Sequence, residues 1–398
     1  MYLSSVILSL CGSALLSSAY CVQDSDESTR ICPLPKCKCP SIEKASGPAV
    51  GIALEVGYGT VSIKYNNGTI TPVAKIAGSS QYVELMKHLA TSPIKHMPDG
   101  SRTPPGVDKN DISTRNTWIW YKIKCWARKL IFLPATPEIA ILADMVSQLR
   151  REAEAVLQQR VKGVAISSPD RVRLTLYEIR DILDYLWMED LVAEKGKTMF
   201  DQLFSMAATA AGHSDGLCRS YTDAYECEKE ELHFSHKWTL HLDFSQESFS
   251  GAMELMSTAR CLGAHADFVD LELGANHHHP HEDSVMKPEY WGKIETRIRE
   301  FVESNHRPEK IYLTGDSVRE PGFLEAVRSA LMDLTEPSVL ETLNHTASNM
   351  SAQDFLFMTS MGAAEFAKRR QEGMAECQLP EECRGKAGSR GLGDKGEL

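Results

Sequence analysis

The sequence predicts a mixed α/β fold, and three observations carry that reading. From Ala49 onward, strand-length runs that are apolar or alternate in polarity keep returning. Between them lie stretches whose apolar residues recur at helical spacing. The chain has 398 residues, 42% hydrophobic and 24% charged, which are ordinary globular proportions and enough for two domains or one large α/β domain. They exclude a collagen, a low-complexity scaffold and a chain disordered throughout. Acidic residues outnumber basic ones by 54 to 43, a net charge of −11, whereas a nucleic-acid binder carries a basic footprint. The aromatic share of 8% gives no sign of a carbohydrate-stacking surface.

Residues 1–19 carry no charge. An apolar run from Val6 to Leu16 is followed by Ser17 and Ala19, a small-x-small cleavage site before Tyr20, so a cleaved secretory signal is expected. The alternative, an uncleaved anchor, is short for a bilayer span; no membrane span is expected after cleavage. Removing Cys11 leaves ten of eleven cysteines, an even number suited to an oxidising compartment. Residues 20–48, with Cys32, Cys37 and Cys39, read as a Cys- and Pro-containing leader loop without the partner spacing of a zinc site. Cys218 with Cys227, and Cys377 with Cys383, could close short local loops, although spacing alone fixes no pairing. Sequons at Asn67, Asn344 and Asn349 agree with a secretory route. The terminal Lys395-Gly-Glu-Leu is similar to an endoplasmic-reticulum retrieval signal with glycine at its usual acidic position. Secretion and retention in the lumen therefore stay open.

The elements follow in order. Val50–Val56, the alternating Thr60–Tyr65 and the run from Thr69 read as a meander, turned at Gly57 and Gly59 and again at Asn66-Asn67-Gly68. Residues 97–113 read as a surface loop. A helix over 137–161 precedes a buried strand from Val161. Helices are expected over 173–187 and 198–211, strands at Trp238–Asp243 and Lys310–Gly315, and helices over 286–304, Pro321–Leu334 and 361–372. The acidic run Glu228–Glu231 reads as a solvated loop, and residues 373–398 as a flexible tail.

Three strand ends marked by glycine or small hydroxylic residues stand out: Gly57-Tyr58-Gly59-Thr60, Asp243-Phe-Ser245-Gln-Glu-Ser248, and Leu313-Thr-Gly315-Asp316-Ser317-Val-Arg319-Glu-Pro321. Such turns let backbone N–H groups approach a phosphate or a ribose closely, although any one of them alone is an ordinary tight turn. In their order, the chain resembles the actin-like ATPase superfamily, specifically the nucleotide-binding domain of seventy-kilodalton heat-shock chaperones. The likeness runs over about 49–370. Val164–Pro169 and Ala207–Gly212 resemble the two connecting segments. Gly362-Ala-Ala-Glu-Phe-Ala-Lys-Arg-Arg is similar to the ends of a fungal-type group of divergent, chaperone-like members.

The resemblance implies a bilobal, duplicated ribonuclease H-like fold, with lobe I over 49–235 and lobe II over 236–372. It implies ATP or ADP with Mg²⁺ in the cleft between two phosphate loops and an adenosine turn. Gly57, Tyr58, Gly59, Thr60, Ser245, Ser248, Gly315, Asp316, Ser317 and Arg319 would bind the nucleotide, and Asp243 would be the catalytic carboxylate. The departures are as telling. Ala53 stands where the family has a metal-shell aspartate, and Glu55 where it has glycine. Ser245-Gln246-Glu247 replaces a glycine run, Ser250 an aspartate and Asp316 a glycine. A Glu247 charge about 4 Å from a phosphate oxygen, at an effective dielectric of roughly 20, repels by about 4 kcal/mol, close to three decades in affinity, unless a cation or a side-chain turn relieves it. The fold is expected to persist and robust hydrolysis to be lost. No peptide-binding β-domain follows, so a complete refolding chaperone is not expected.

The leading expectation is a secretory-pathway pseudoenzyme or interaction module with an unknown protein partner. The alternatives are an active ATPase using Asp243 and a secreted binding protein independent of nucleotide. The histidine run Asn276–Asp283 lacks one-face ligand spacing and reads as an exposed loop, so no metal site is assigned. A hydrolase triad through Ser248 and Asp243 lacks a G-x-S-x-G elbow. Trp118, Trp120 and Trp126 with Tyr121 read as core or an interlobe contact; exposed, they would favour protein binding.

Overall fold

A computed structural model describes residues 36–38, 45–92, 115–172, 174–192, 202–259, 264–278, 288–373 and 375–378. The expected signal, most of the leader loop, the 97–113 loop, Cys383 and the terminal tetrapeptide lie outside them. The chain forms two compact units. Of the smaller, the described part is β1 (Lys36–Lys38), paired antiparallel with β12 (Ala375–Gln378), strands that the leader-loop and tail expectations did not contain.

The larger unit, Cys39–Met374, opens with the expected meander: β2 (Ala49–Leu54), β3 (Tyr58–Lys64) and β4 (Ile70–Ala77). Then come α1 (Ser80–Thr91), α2 (Arg115–Leu130) and α3 (Pro137–Leu157). Thr136 caps α3 through its side chain, and Pro137 fits the first turn because its missing N–H would be unpaired there anyway. Strand β5 (Gly163–Ser168) lies parallel to β2, and α4 (Leu176–Leu186) starts on a Thr175/Glu178 capping box. Two short strands, β6 (Glu189–Asp190) and β7 (Leu203–Phe204), pair with β5. They are followed by α5 (Ser205–Gly212) and α6 (Ala224–Glu231). The second sheet holds β8 (Lys237–Phe244), β9 (Phe249–Met256), β10 (Ala266–Asp270) and β11 (Lys310–Thr314). Helices α7 (Pro288–Glu303), α8 (Pro321–Leu331), α9 (Pro337–Asn349) and α10 (Ala352–Glu372) complete the unit.

The fold is thus mixed α/β, and its two large sheets repeat one plan. In the first, β4-β3-β2 are antiparallel and β5 adds parallel to β2; in the second, β10-β9-β8 are antiparallel and β11 adds parallel to β8. Each sheet has its own apolar core. One gathers Ile52, Val61, Met86, Leu142 and Ile166. The other gathers Leu240, Phe244, Phe249 and Ile298, with Phe244 stacked on Phe323 at 4.4 Å. Helix α10 begins in the second core at Phe355 and then lies on β2, where a Cβ at Gly51 would stand 2.0 Å from Ala364 N.

Several expectations need correction. The last helix is not a short one over 361–372 but 21 residues from Ala352. It is buried around most of its circumference, which erases the one-sided apolar stripe. The acidic run is no loop: it ends α6, which Asp223 caps at Glu226 N, and Glu230 accepts from the Arg219 and Ser220 amides. The helix expected over 198–211 starts only at Ser205, after β7. Helices α1, α2 and α9 and strands β6, β7, β9 and β10 were not expected either. Trp120 and Trp126 are not core residues; they are 69% and 63% exposed. Cys218 and Cys227 do form a disulfide, with Cα atoms 5.1 Å apart. Asn67 lies exposed in its turn, whereas Asn344 sits within α9 and is bonded to Arg328, and Asn349 ends that helix. No helix among the described residues is long and apolar enough to cross a membrane.

Candidate functional site

The duplicated strand plan brings the two equivalent hairpin turns together. The first joins β2 to β3 and closes through Glu55 N to Tyr58 O at 2.8 Å. The second joins β8 to β9 and closes through Ser245 N to Ser248 O at 3.0 Å. At Gly57 an added Cβ would stand 2.6 Å from Glu247 Cγ, so the glycine is what lets the second turn lie over the first. The third strand end arrives from β11. Gly315 has φ +120°, and a Cβ there would meet Phe244 O at 2.1 Å; only glycine satisfies both demands.

Beneath the turns is a buried acidic group. Glu55, Asp170 and Asp243 line a cavity of about 20 Å³ together with His241, Ser205 and Arg171, room for one water-sized body. Asp243 Oδ2 accepts from Thr314 Oγ1 at 2.9 Å, and His241 Nε2 lies 2.8 Å from the same hydroxyl. Asp170 accepts from the Met206 amide at 3.2 Å. Arg171 reaches across to Asp267 at 2.9 Å. Burial, with the Asp243 and Asp170 charges, holds the Glu55 carboxyl well above the usual carboxylate range. Burial also pushes Asp243 up to about 6, against the pull of His241 and Thr314. Both shifts favour the protonated acid, so the cluster sheds negative charge as pH falls through about 6.

The turns themselves are tied by ion pairs and hydrogen bonds. Glu247 is held by Lys87 at 2.6 Å and by Asn276 Nδ2 at 2.9 Å. Asp316 accepts from Gln246 N and Ser317 Oγ, both at 3.0 Å, and pairs with Lys75 at 2.5 Å; Lys75 also lies over the Tyr58 ring. The expected repulsion from Glu247 is therefore relieved by Lys87. What remains is steric: the Glu247 side chain fills the space over Gly57.

Of the residues read from sequence, Gly57, Tyr58, Asp243, Ser245, Ser248, Gly315, Asp316 and Ser317 come together here. Ser245 Oγ is spent on Ser248 O at 3.1 Å, and Ser317 N on Phe244 O. Three stand apart. Gly59 lies inside β3 rather than at its turn and packs on Leu149 and Met145. Thr60, a residue further on, is fully buried on the opposite face, and its Oγ1 has no partner among the described residues. Arg319 donates to Ala347 O at 2.7 Å and ties down the end of α9. Sequence reasoning missed Asp170, His241, Lys75 and Lys87. His241 had a signal, an ionisable residue at an inward position of an apolar strand; the lysines had none.

No protein-family model and no curated protein matches the chain. Among solved structures, ethanolamine utilization protein EutJ from Carboxydothermus hydrogenoformans is similar at 12% identity and a TM-score of 0.37, over 80% of this chain and 90% of that one. A likeness of that degree carries no argument about what the chain does.

Proposed function

We propose that the chain has an actin-like, chaperone-type ATPase fold whose cleft is closed, and that it serves the secretory pathway as a pseudoenzyme or interaction module for a protein partner. The repeated strand plan, with equivalent turns opposed, supports the fold reading. The Cys218–Cys227 disulfide supports an oxidising compartment. One observation carries the loss of activity: Glu247, anchored by Lys87 and Asn276, occupies the space over Gly57. A triphosphate laid along the first turn would meet that side chain.

The alternative, an active ATPase, draws on Asp243, which keeps a buried position beside Thr314. Titration calorimetry with ATP and Mg²⁺, with a phosphate-release assay, separates the two. Silence in both from folded protein is expected. Micromolar binding with turnover that Asp243→Asn abolishes would refute the pseudoenzyme. Partner capture unchanged by nucleotide would agree with a nucleotide-independent binding protein.

A further inference from the structure

Helix α2 reads RNTWIWYKIKCWARKL, with five Lys or Arg and no Asp or Glu, in a chain whose net charge is −11. Its exposed side chains Ile119, Ile123, Trp126 and Leu130 follow at steps of four, three and four, one stripe of a helix, with Trp120 at its margin. The stripe runs on through exposed Ile131, Phe132 and Leu133, and Trp187 stacks on Phe132 at 5.8 Å. Phe132 and Trp187 have φ of +59° and +55°. Bulky residues adopt that left-handed region only under strain, and such strain gathers at functional sites. Here it holds two aromatic rings outward.

The cations pin this arrangement from behind. Lys129 pairs with Asp181 and reaches Asp184 at 3.4 Å on α4, Lys122 lies over the Trp118 and Tyr177 rings, and Arg128 donates to Pro134 O. Lys124 is exposed one turn along from Trp120, at the edge of the exposed face. A nucleic-acid surface would lack the aliphatic stripe. Tryptophan with aliphatic residues on one face and lysine or arginine flanking them is the composition of a helix lying in a lipid headgroup layer.

We propose that α2, with Ile131–Leu133 and Trp187, docks in the plane of an anionic phospholipid bilayer without crossing it. The net negative charge of the chain opposes other orientations and leaves this face as the contact.

Flotation of the full chain with phosphatidylcholine vesicles, with and without phosphatidylserine, tests this. Binding to the phosphatidylserine vesicles is expected, weakened about tenfold or more by Trp120→Ser with Trp126→Ser and about fivefold by Lys124→Gln. Far-UV circular dichroism on each variant separates lost docking from lost folding. Three outcomes overturn the proposal: no flotation of the wild-type chain, flotation unmoved by folded double variant, or sedimentation showing that a second copy covers this face and the Trp substitutions dissociate it. None depends on whether the chain binds ATP.

Discussion

Helices α10 and α2 make opposite use of similar means. Both carry several charges, and α2 has the larger apolar side chains. Yet α10 is buried along most of its length, and α2 leaves two tryptophans in solvent. The difference lies in how closely the backbones can approach. On α10, Gly362, Ala363, Ala364 and Ala367 let the helix settle on β2 and α5, where a Cβ at Gly362 would stand 1.7 Å from Ala208 O. Even Lys368, 1% exposed, is accommodated there. Its ammonium donates to Ala45 O, Gly47 O and Asn66 Oδ1 and pairs with Glu372 at 2.9 Å, so its donors are all matched. Dispersion at close range and satisfied polar groups, rather than apolar bulk, decide which helix is inside.

The sharpest way to break that contrast is Gly362→Val. A branched side chain pressed into the Ala208 carbonyl leaves α10 no way to stay on α5, and a loss of about 3–5 kcal/mol is expected. A denaturant midpoint equal to that of the wild type would show that α10 is not locked as described.

Asp243→Asn is expected to have the next largest effect, and its sign depends on pH. The Asp243 pKa rises from 3.8 to about 6 on folding, so the folded state prefers the protonated acid. Its favourable contribution is complete below the unfolded pKa and is lost as pH rises through about 6; Glu55 acts in the same direction. That rise is worth about 3 kcal/mol. Asparagine keeps an acceptor for Thr314 and carries no charge. The variant is therefore expected to match the wild type at about pH 4, to be the more stable at about pH 8, and to flatten the slope between. Parallel pH profiles of the two proteins would place the titration elsewhere.

The sheets were legible because β2, β3, β5, β8 and β11 are built from apolar or alternating runs that end in turn residues, and period two survives in any half-buried strand. The meeting of Gly57, Asp243 and Gly315 was legible as an order of glycine-marked strand ends. What stayed hidden has physical causes. Helix α10 has no stripe to find because it is buried nearly all round. Lys75 and Lys87 reach the site from a strand and a helix without any local motif, since ion pairs across 160 residues and more leave no spacing to read. The tryptophans of α2 misled because bulk and apolarity suggest burial, and nothing in a single sequence tells an inward stripe from an outward one.

The smallest effect on stability belongs to that outward stripe. Trp120→Ser together with Trp126→Ser removes two large apolar side chains, which in a core would cost several kcal/mol each. Both are already mostly in water, so little area returns to solvent on unfolding, and serine lowers helix propensity only slightly. The pair should shift the unfolding free energy by no more than about 0.5 kcal/mol, read from thermal or urea midpoints. A loss of several kcal/mol would mean that these rings are packed in the folded protein, and the contrast with α10 would fail along with the reason for giving α2 a partner outside the chain.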